Sequence, residues 1–383
     1  LNIIFKLTDW LETHWVTPAY TGWVLLGIGI SFFGAATNTM AGWLYVLSGL
    51  ILAILGLNAV IALKNLKKLQ IRRFPINPVS AGDQLTIELV IKNPTKEAKT
   101  LLQVIDQLPF VLSKPMSTAI ETIPPCQTYQ WIYYAQTKKR GVYHWHQLEL
   151  KTAAPLGVLY CRRKRNLPTK AIVYPQVLPL QNCPLVDTIG SEKSTKMPSE
   201  RLYQAAHEGI TKALRQYRFG DPTRLIHWRS TARFGELQIR ELEVITGGQQ
   251  VIICLDNSTV WNEDYFEEAV IAAASLYFYA SRCQLDVKLW TVDTGLIHGN
   301  RVVLETLAGI ESGKENTANY FPSLPLIWIS QNITYFDSLA AGSRWLLFPS
   351  AAGDISGRID TAFPGIIYNP QESLQGQLQK PLS

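Results

Sequence analysis

Hydrophobic positions crowd into two unbroken stretches near the start of the chain. Residues 16–36 and 41–63 hold no Lys, Arg, Asp or Glu. Each reaches the roughly 20 apolar residues that a helix needs to cross a hydrocarbon core. Only residues 37–40 separate them, so the pattern predicts a transmembrane helical hairpin with both ends on one side. A signal peptide has one short apolar region rather than two full spans, and a core hairpin seldom stays uncharged for so long. The flank that follows carries Lys64, Lys67, Lys68, Arg72 and Arg73 with no acid among them. Positive charge beside a span marks the cytoplasmic side, so the downstream chain is expected there. Trp10, Trp15, Tyr20, Trp23, Trp43 and Tyr45 fall near the expected interfaces, where amphipathic rings prefer to sit. Ile4, Leu7, Leu11 and Trp15 give residues 1–15 the single apolar face of a short interfacial helix.

From residue 74 the period shortens to two. Leu85, Ile87, Leu89 and Ile91 alternate with polar residues between a Gly-Asp and an Asn-Pro turn, and further short strands follow at near-regular spacing. Residues 74–175 therefore read as an antiparallel β-sandwich. Residues 176–207 are polar and without clear period, and read as a linker or loop. From about Gln249 continuous apolar runs alternate with helical stretches. The run 249–256, bounded by Gly-Gly and Asp, reads as a strand covered on both faces. Residues 263–283 read as a helix with Phe266, Val270, Ala273 and Tyr277 on one side, and residues 285–292 as a strand. Strands alternating with helices predict a doubly wound, mostly parallel sheet with helices on both faces. The whole is a multi-domain chain: hairpin and basic flank in 1–73, sandwich in 74–175, linker in 176–207, and an α/β domain in 208–383.

Composition changes this picture little. The net charge of +6 is partly accounted for by the membrane flank, for which anionic headgroups are a sufficient partner, so it is weak support for nucleic acid. The five cysteines show no CxxC pair, and irregular spacing in a cytoplasmic chain favours free thiols. No GxSxG, HExxH, GxGxxG or P-loop pattern is present. His144 and His146 alternate with Tyr143 and Trp145 on a strand, where packing or exposure is a simpler role than metal binding.

The densest chemistry lies in residues 208–243. Arg215, Arg218, Arg224, Arg229, Arg233 and Arg240 face Glu208, Asp221, Glu236, Glu241 and Glu243, with Tyr217, Phe219, His227, Trp228 and Phe234 between them. Gly220 allows a turn, Asp221 can cap a helix and Pro222 suits its first position. The spacing predicts a helix over 223–233 with Leu225 and Trp228 on one face. Gly235 ends it, and residues 236–244 continue as a strand leading into the parallel sheet. Arg215, Tyr217, Gly220, Asp221, Arg224, Ile226, His227, Trp228, Ala232, Arg233, Gly235, Glu236, Leu237, Arg240, Glu241 and Glu243 together resemble the signature of the domain-of-unknown-function-58 family. The order of parts also resembles that family, with Lys139–Tyr143 and residues 154–160 as further likenesses; Ala154 stands where its members more often have Asp. The resemblance implies a membrane-anchored protein with a C-terminal domain similar to von Willebrand factor type A. It also implies an AAA+ ATPase of the MoxR type as partner, and no established reaction.

Taken by itself, a segment of mixed sign favours an internal ion-pair network that fixes the signature helix to the sheet, with Trp228 in the core. A docking surface for a protein, anchored by arginine and aromatic rings, is the second reading. A nucleic-acid or nucleotide site is the third, and the five acids weigh against it. Domains of the von Willebrand kind often bind Mg²⁺ through D-x-S-x-S after their first strand. Here Asp256 and Ser258 are in place, but Val260 offers no oxygen. Mg²⁺ requires near-octahedral oxygen ligands, so the loop is a degenerate metal site or a strand-end cap. The expected function is a non-enzymatic, membrane-tethered assembly factor working with an AAA+ ATPase. The alternatives are a metal-dependent hydrolase using Asp256 and a nucleic-acid binder.

Overall fold

The two apolar stretches fold as helices α1 (Tyr20–Thr39) and α2 (Gly42–Leu66), both long and apolar enough to cross a membrane. In the computed structural model, residues 12, 15–189, 210–216, 226–243, 250–313, 324–333, 335–336, 339–349 and 363–382 are described. The chain divides into two units, Leu1–Tyr174 and Pro175–Ser383. The proposed interfacial helix of residues 1–15 lies outside the described residues except for Glu12 and Trp15.

The hairpin differs from its sequence reading at both ends. Before α1, residues 16–19 are extended, and β1 (Thr17–Pro18) pairs with a strand of the following sheet. The link between helices is only Met40 and Ala41, with Met40 in the left-handed region as the cap of α1. The helices pack closely, and the Ser48 hydroxyl donates to Gly29 O at 2.8 Å. Outward-facing side chains remain apolar, as at Val46, 73 % exposed. The last turns of α2 are apolar for another reason. Ala62 and Leu66 belong to the core of the sheets, and Asn65 donates to Thr100 O and to the Thr152 hydroxyl at 2.5 and 2.8 Å.

Eight further strands complete this unit: β2 (Gln70–Arg73), β3 (Val79–Ser80), β4 (Gln84–Lys92), β5 (Lys99–Asp106), β6 (Met116–Ile123), β7 (Thr128–Gln136), β8 (Gly141–Thr152) and β9 (Leu159–Tyr174). They form two sheets, ordered β1-β9-β8-β5-β6 with β3 beside β9, and β2-β4-β7. All pairings are antiparallel except β3 with β9. The alternation of β4 is realised as read, with Leu85, Ile87, Leu89 and Ile91 fully buried. They share one core with Trp131 and Tyr133 of β7 and with Val104, Leu148 and Val173 of the larger sheet. Each such burial contributes about 1.5–3 kcal/mol. An ion pair lies inside: Arg73 meets Asp106 at 2.5 Å, and the Tyr133 hydroxyl donates to the same carboxylate oxygen at 2.6 Å. Burial, then the Asp106 charge, push the Tyr133 phenol far above its ordinary range.

The second unit is built on a six-stranded sheet: β12 (Gln250–Leu255), β13 (Asp286–Thr291), β14 (Gly295–Ile297), β15 (Leu326–Ser330), β16 (Arg344–Leu347) and β17 (Gly365–Ile367). Its order is β14-β13-β12-β15-β16-β17, and only β14 is antiparallel to its neighbour. Helix α5 (Glu263–Arg282) begins where the Asn262 side chain accepts from Asp264 N, with Glu263 and Asp264 in the first turn and Arg282 in the last, as the helix dipole favours. It buries Phe266, Val270, Ala273 and Tyr277. Helix α6 (Asn300–Gly309) packs in the same core. The sequence suggested helices on both faces; among the described residues both long helices share one face. The other face is closed by rings, with Phe336 stacked on Trp345 at 4.9 Å and Trp290 beside Trp328.

The stretch read as a linker is packed over its described part. Leu180, Cys183, Leu185, Val186 and Ile189 enter the core beside α5 around the short helix α3 (Pro184–Asp187). Tyr279 donates to Asp187 at 2.9 Å, and Arg344 donates to Thr188 O at 2.8 Å. Residues 190–209 lie outside the described residues.

Candidate functional site

The signature folds as a hairpin with a helical insert. Strands β10 (Ile210–Gln216) and β11 (Gln238–Glu243) pair antiparallel as a two-stranded sheet of their own. This corrects the expectation that 236–244 would run into the parallel sheet. Register places Arg215 opposite Ile239, Arg240 opposite Leu214 and Glu241 opposite Ala213. Tyr217, Gly220, Asp221 and Arg224 lie outside the described residues. Ile226 bridges to Ile239, and both are buried.

The helix is shorter than its spacing suggested. α4 covers Trp228–Phe234 and His227 caps it; the expected cap Asp221 lies outside the described residues. The His227 ring nitrogen Nδ1 accepts from Ser230 N at 3.2 Å and lies 2.7 Å from the Ser230 hydroxyl. His227 N donates to Gln238 O at 2.8 Å, so the cap is tied to β11. Gly235, at φ +73°, takes the left-handed position that ends a helix, and its N–H donates to Thr231 O. Glu236 accepts from Gln216, which closes the hairpin.

No residue of α4 is buried. Trp228 is 67 % exposed and Phe234 64 %. This corrects the reading that put Trp228 in the core. The Arg233 guanidinium lies 5.9 Å from the centre of the Phe234 ring. Arg229 and Leu237 are exposed nearby in sequence. The chain thus presents two large rings and two arginines to solvent on a helix whose ends are pinned. The sequence reading named Phe234 and Leu237 within the segment but did not single them out as exposed beside Trp228. Their signal was position: both flank Gly235, where the helix stops.

The second candidate lies at the carboxyl end of the central strands. Asp256 is 1 % exposed. Its Oδ1 accepts from Ser258 N at 3.1 Å and from the Ser258 hydroxyl at 2.5 Å, and its Oδ2 accepts from the Ser330 hydroxyl at 2.8 Å. Asn257 reaches the other way, accepting from Val292 N and donating to Asp293 and Glu311 O, each at 3.1 Å. Gly313 N donates to Asn257 O and Thr259 O. The loop therefore laces β13, β12 and β15 together. Ser330, absent from the sequence reading, ends an apolar strand just as Asp256 does, which is the signal that could have paired them. Val260 is exposed and has no oxygen side chain. Among the described residues Asp256 and its hydroxyl partners converge here, and that carboxylate already accepts from protein donors. Such a set fits a resident Mg²⁺ poorly, since the ion takes six oxygens and usually keeps several waters. Cys254, two residues before Asp256, is fully buried, and burial raises its thiol pKa well above the ordinary value. It is a core thiol.

Residues 213–296 match the family described as "Protein of unknown function DUF58". No curated protein matches the chain. Among solved structures, a β-glucosidase from Listeria innocua in complex with isofagomine is 12% identical over 29% of this chain and 17% of its own, with a TM-score of 0.18. The same enzyme with glucose gives the same score over 28% of this chain and 16% of its own, at 12% identity. A late embryogenesis abundant protein solved in solution is 11% identical over 31% of this chain and 83% of its own, with a TM-score of 0.21. The chain spans about a sixth of the glucosidase, and likenesses at these scores carry no argument.

Proposed function

We propose, from the match of residues 213–296 to the DUF58 family, that the chain is a membrane-anchored docking protein and not a catalyst. The hairpin α1–α2 holds the chain in the bilayer, its two sheets form a β-sandwich spacer, and α4 with its hairpin receives a protein partner. The second unit is read as a domain of the von Willebrand factor type A kind. The support for that is its mixed sheet with buried central strands and one antiparallel edge. The Asp256 loop is read as a staple of that sheet.

The observation that carries the docking reading is the exposure of Trp228 and Phe234 beside Arg229 and Arg233 on a capped helix that buries none of its own residues. Aromatic and arginine side chains are the residues that dominate interface energies when a partner desolvates them. The expected partner is an AAA+ ATPase. The test is binding of the detergent-solubilised full chain to a purified AAA+ ATPase of the MoxR type, compared with Trp228→Ala and Phe234→Ala. Truncating such anchors costs about 2 kcal/mol or more each, close to thirty-fold in affinity. The variants should keep the wild-type thermal midpoint, because neither ring is packed. Equal binding by wild type and variants would remove the assignment to α4.

A further inference from the structure

We propose that the turn between β8 and β9, residues 153–158, is a third membrane contact, with Leu156 seated in the cytoplasmic leaflet beside the hairpin. The proposal rests on the reading of α1 and α2 as spans.

Three observations lead to it. The first is direction. β1 and β9 are antiparallel, with Thr17 opposite Tyr160 and Pro18 opposite Leu159. Walking back along β9 from Tyr160 therefore follows the chain forward into α1. Ala19 N, at the cap of α1, donates to Val158 O at 2.8 Å. Leu156 lies two residues further in that direction, on the bilayer side of this bond.

The second is contact. Val158 and Leu159 pack in one cluster with Leu25, Leu26, Ile51 and Leu55 of the two spans. Leu26 is six residues beyond Tyr20, about 9 Å along the helix axis. The turn thus grips the spans inside their apolar length rather than at their ends. The approach is tight enough to require glycine: a Cβ at Gly22 would sit 2.3 Å from Val158 O.

The third is surface character. Leu156 is 65 % exposed, and exposed Trp15, Tyr20, Trp23 and Tyr160 surround the same register. An apolar groove of about 320 Å³ opens beside them, lined by Trp15, Gly22, Leu26, Leu55, Val60 and Leu159. Further from the bilayer, Lys67, Lys68, Lys164 and Arg165 are exposed. Apolar side chains at the level of the spans, aromatic rings next and basic residues beyond match the layers of an anionic leaflet. A free peptide or a second copy would leave this order without a cause.

Full-length chain in vesicles of equal parts phosphatidylcholine and phosphatidylglycerol tests the idea. Cys126 and Cys283, the exposed thiols, are first replaced by Ser. An environment-sensitive fluorophore is then placed at Leu156→Cys, at Leu50→Cys in α2, and at Phe110→Cys, an exposed site beyond the opposite end of β5. Leu156→Cys should be quenched by a shallow spin-labelled lipid and be several-fold less sensitive to iodide than Phe110→Cys. Leu50→Cys should respond to a deep lipid quencher. Iodide sensitivity at position 156 equal to that at 110, with position 50 quenched by lipid, overturns the proposal and leaves the hairpin intact. Loss of lipid quenching at position 50 overturns the hairpin reading and this proposal with it.

Discussion

At the scale of single residues, burial and charge set which groups resist ionisation. Glu268 on α5 is half buried next to Glu267, and burial first, then that neighbour, raise its carboxyl above the ordinary 4.5. A raised carboxyl means that the folded chain holds the proton longer than the unfolded one. The stability this provides is present below 4.5 and is lost as pH rises through the folded value. At neutral pH the charged side chain is therefore a cost. Glu268→Gln should raise the thermal midpoint of the detergent-solubilised chain at neutral pH and leave it unchanged below pH 4.5. A variant with the same gain at both pH values would show that charge is not the cause. A different arrangement holds at Asp106, buried inside the sheets with Arg73 and the Tyr133 hydroxyl on the same oxygen. Removing one partner of such a pair costs more than the pair is worth, because the remaining charge is stranded.

Elements show how far pattern alone reaches. Period-two alternation located β4 with its four inward residues, because one side of that strand faces a core and the other does not. The apolar run of α2 was legible as a helix, yet its last turns serve the sheets. Hydropathy counts apolar side chains and cannot tell lipid from protein around Ala62 and Leu66. The stretch 176–189 was illegible because Leu180, Leu185, Val186 and Ile189 follow neither period, and their burial is decided by α5, far along the chain. Trp228 misled for a related reason: a ring at helical spacing suggests a core, but α4 is too short to bury a face. The Asp256 loop was half visible, since the sequence shows Asp256 and Ser258 but not the strand that brings Ser330 beside them. That geometry has a consequence. Ser330→Ala leaves Asp256 Oδ2 buried without its hydroxyl donor, a loss of about 1–3 kcal/mol. The midpoint should fall for the variant, and millimolar Mg²⁺ should move neither protein. A rise with Mg²⁺ in the wild type, absent in the variant, would restore the ion-binding reading.

For the whole molecule the consequence of the hairpin is topological. Under the proposed membrane reading, two spans joined by Met40 and Ala41 return the chain to the side from which it came. On that reading everything from Lys67 onward shares a compartment with the segment before α1, and the basic flank is the ground for proposing the cytoplasm. The chain carries its own reporters. Of its cysteines, Cys161, Cys183 and Cys254 are buried and Cys126 and Cys283 are exposed, the last two lying one in each unit. The buried ones are also poor nucleophiles: burial raises all three, with Cys183 pushed up to about 12, and thiolate is the reactive form. A membrane-impermeant maleimide should therefore label Cys126 and Cys283 in inverted membrane vesicles and neither in right-side-out vesicles. Single Cys126→Ser and Cys283→Ser variants assign each signal to its unit. Labelling of one unit from each side would require a further crossing between them. Labelling of both from outside would reverse the orientation. Labelling in either preparation that survives an alkaline wash of the chain into the supernatant would mean that α1 and α2 never entered the bilayer.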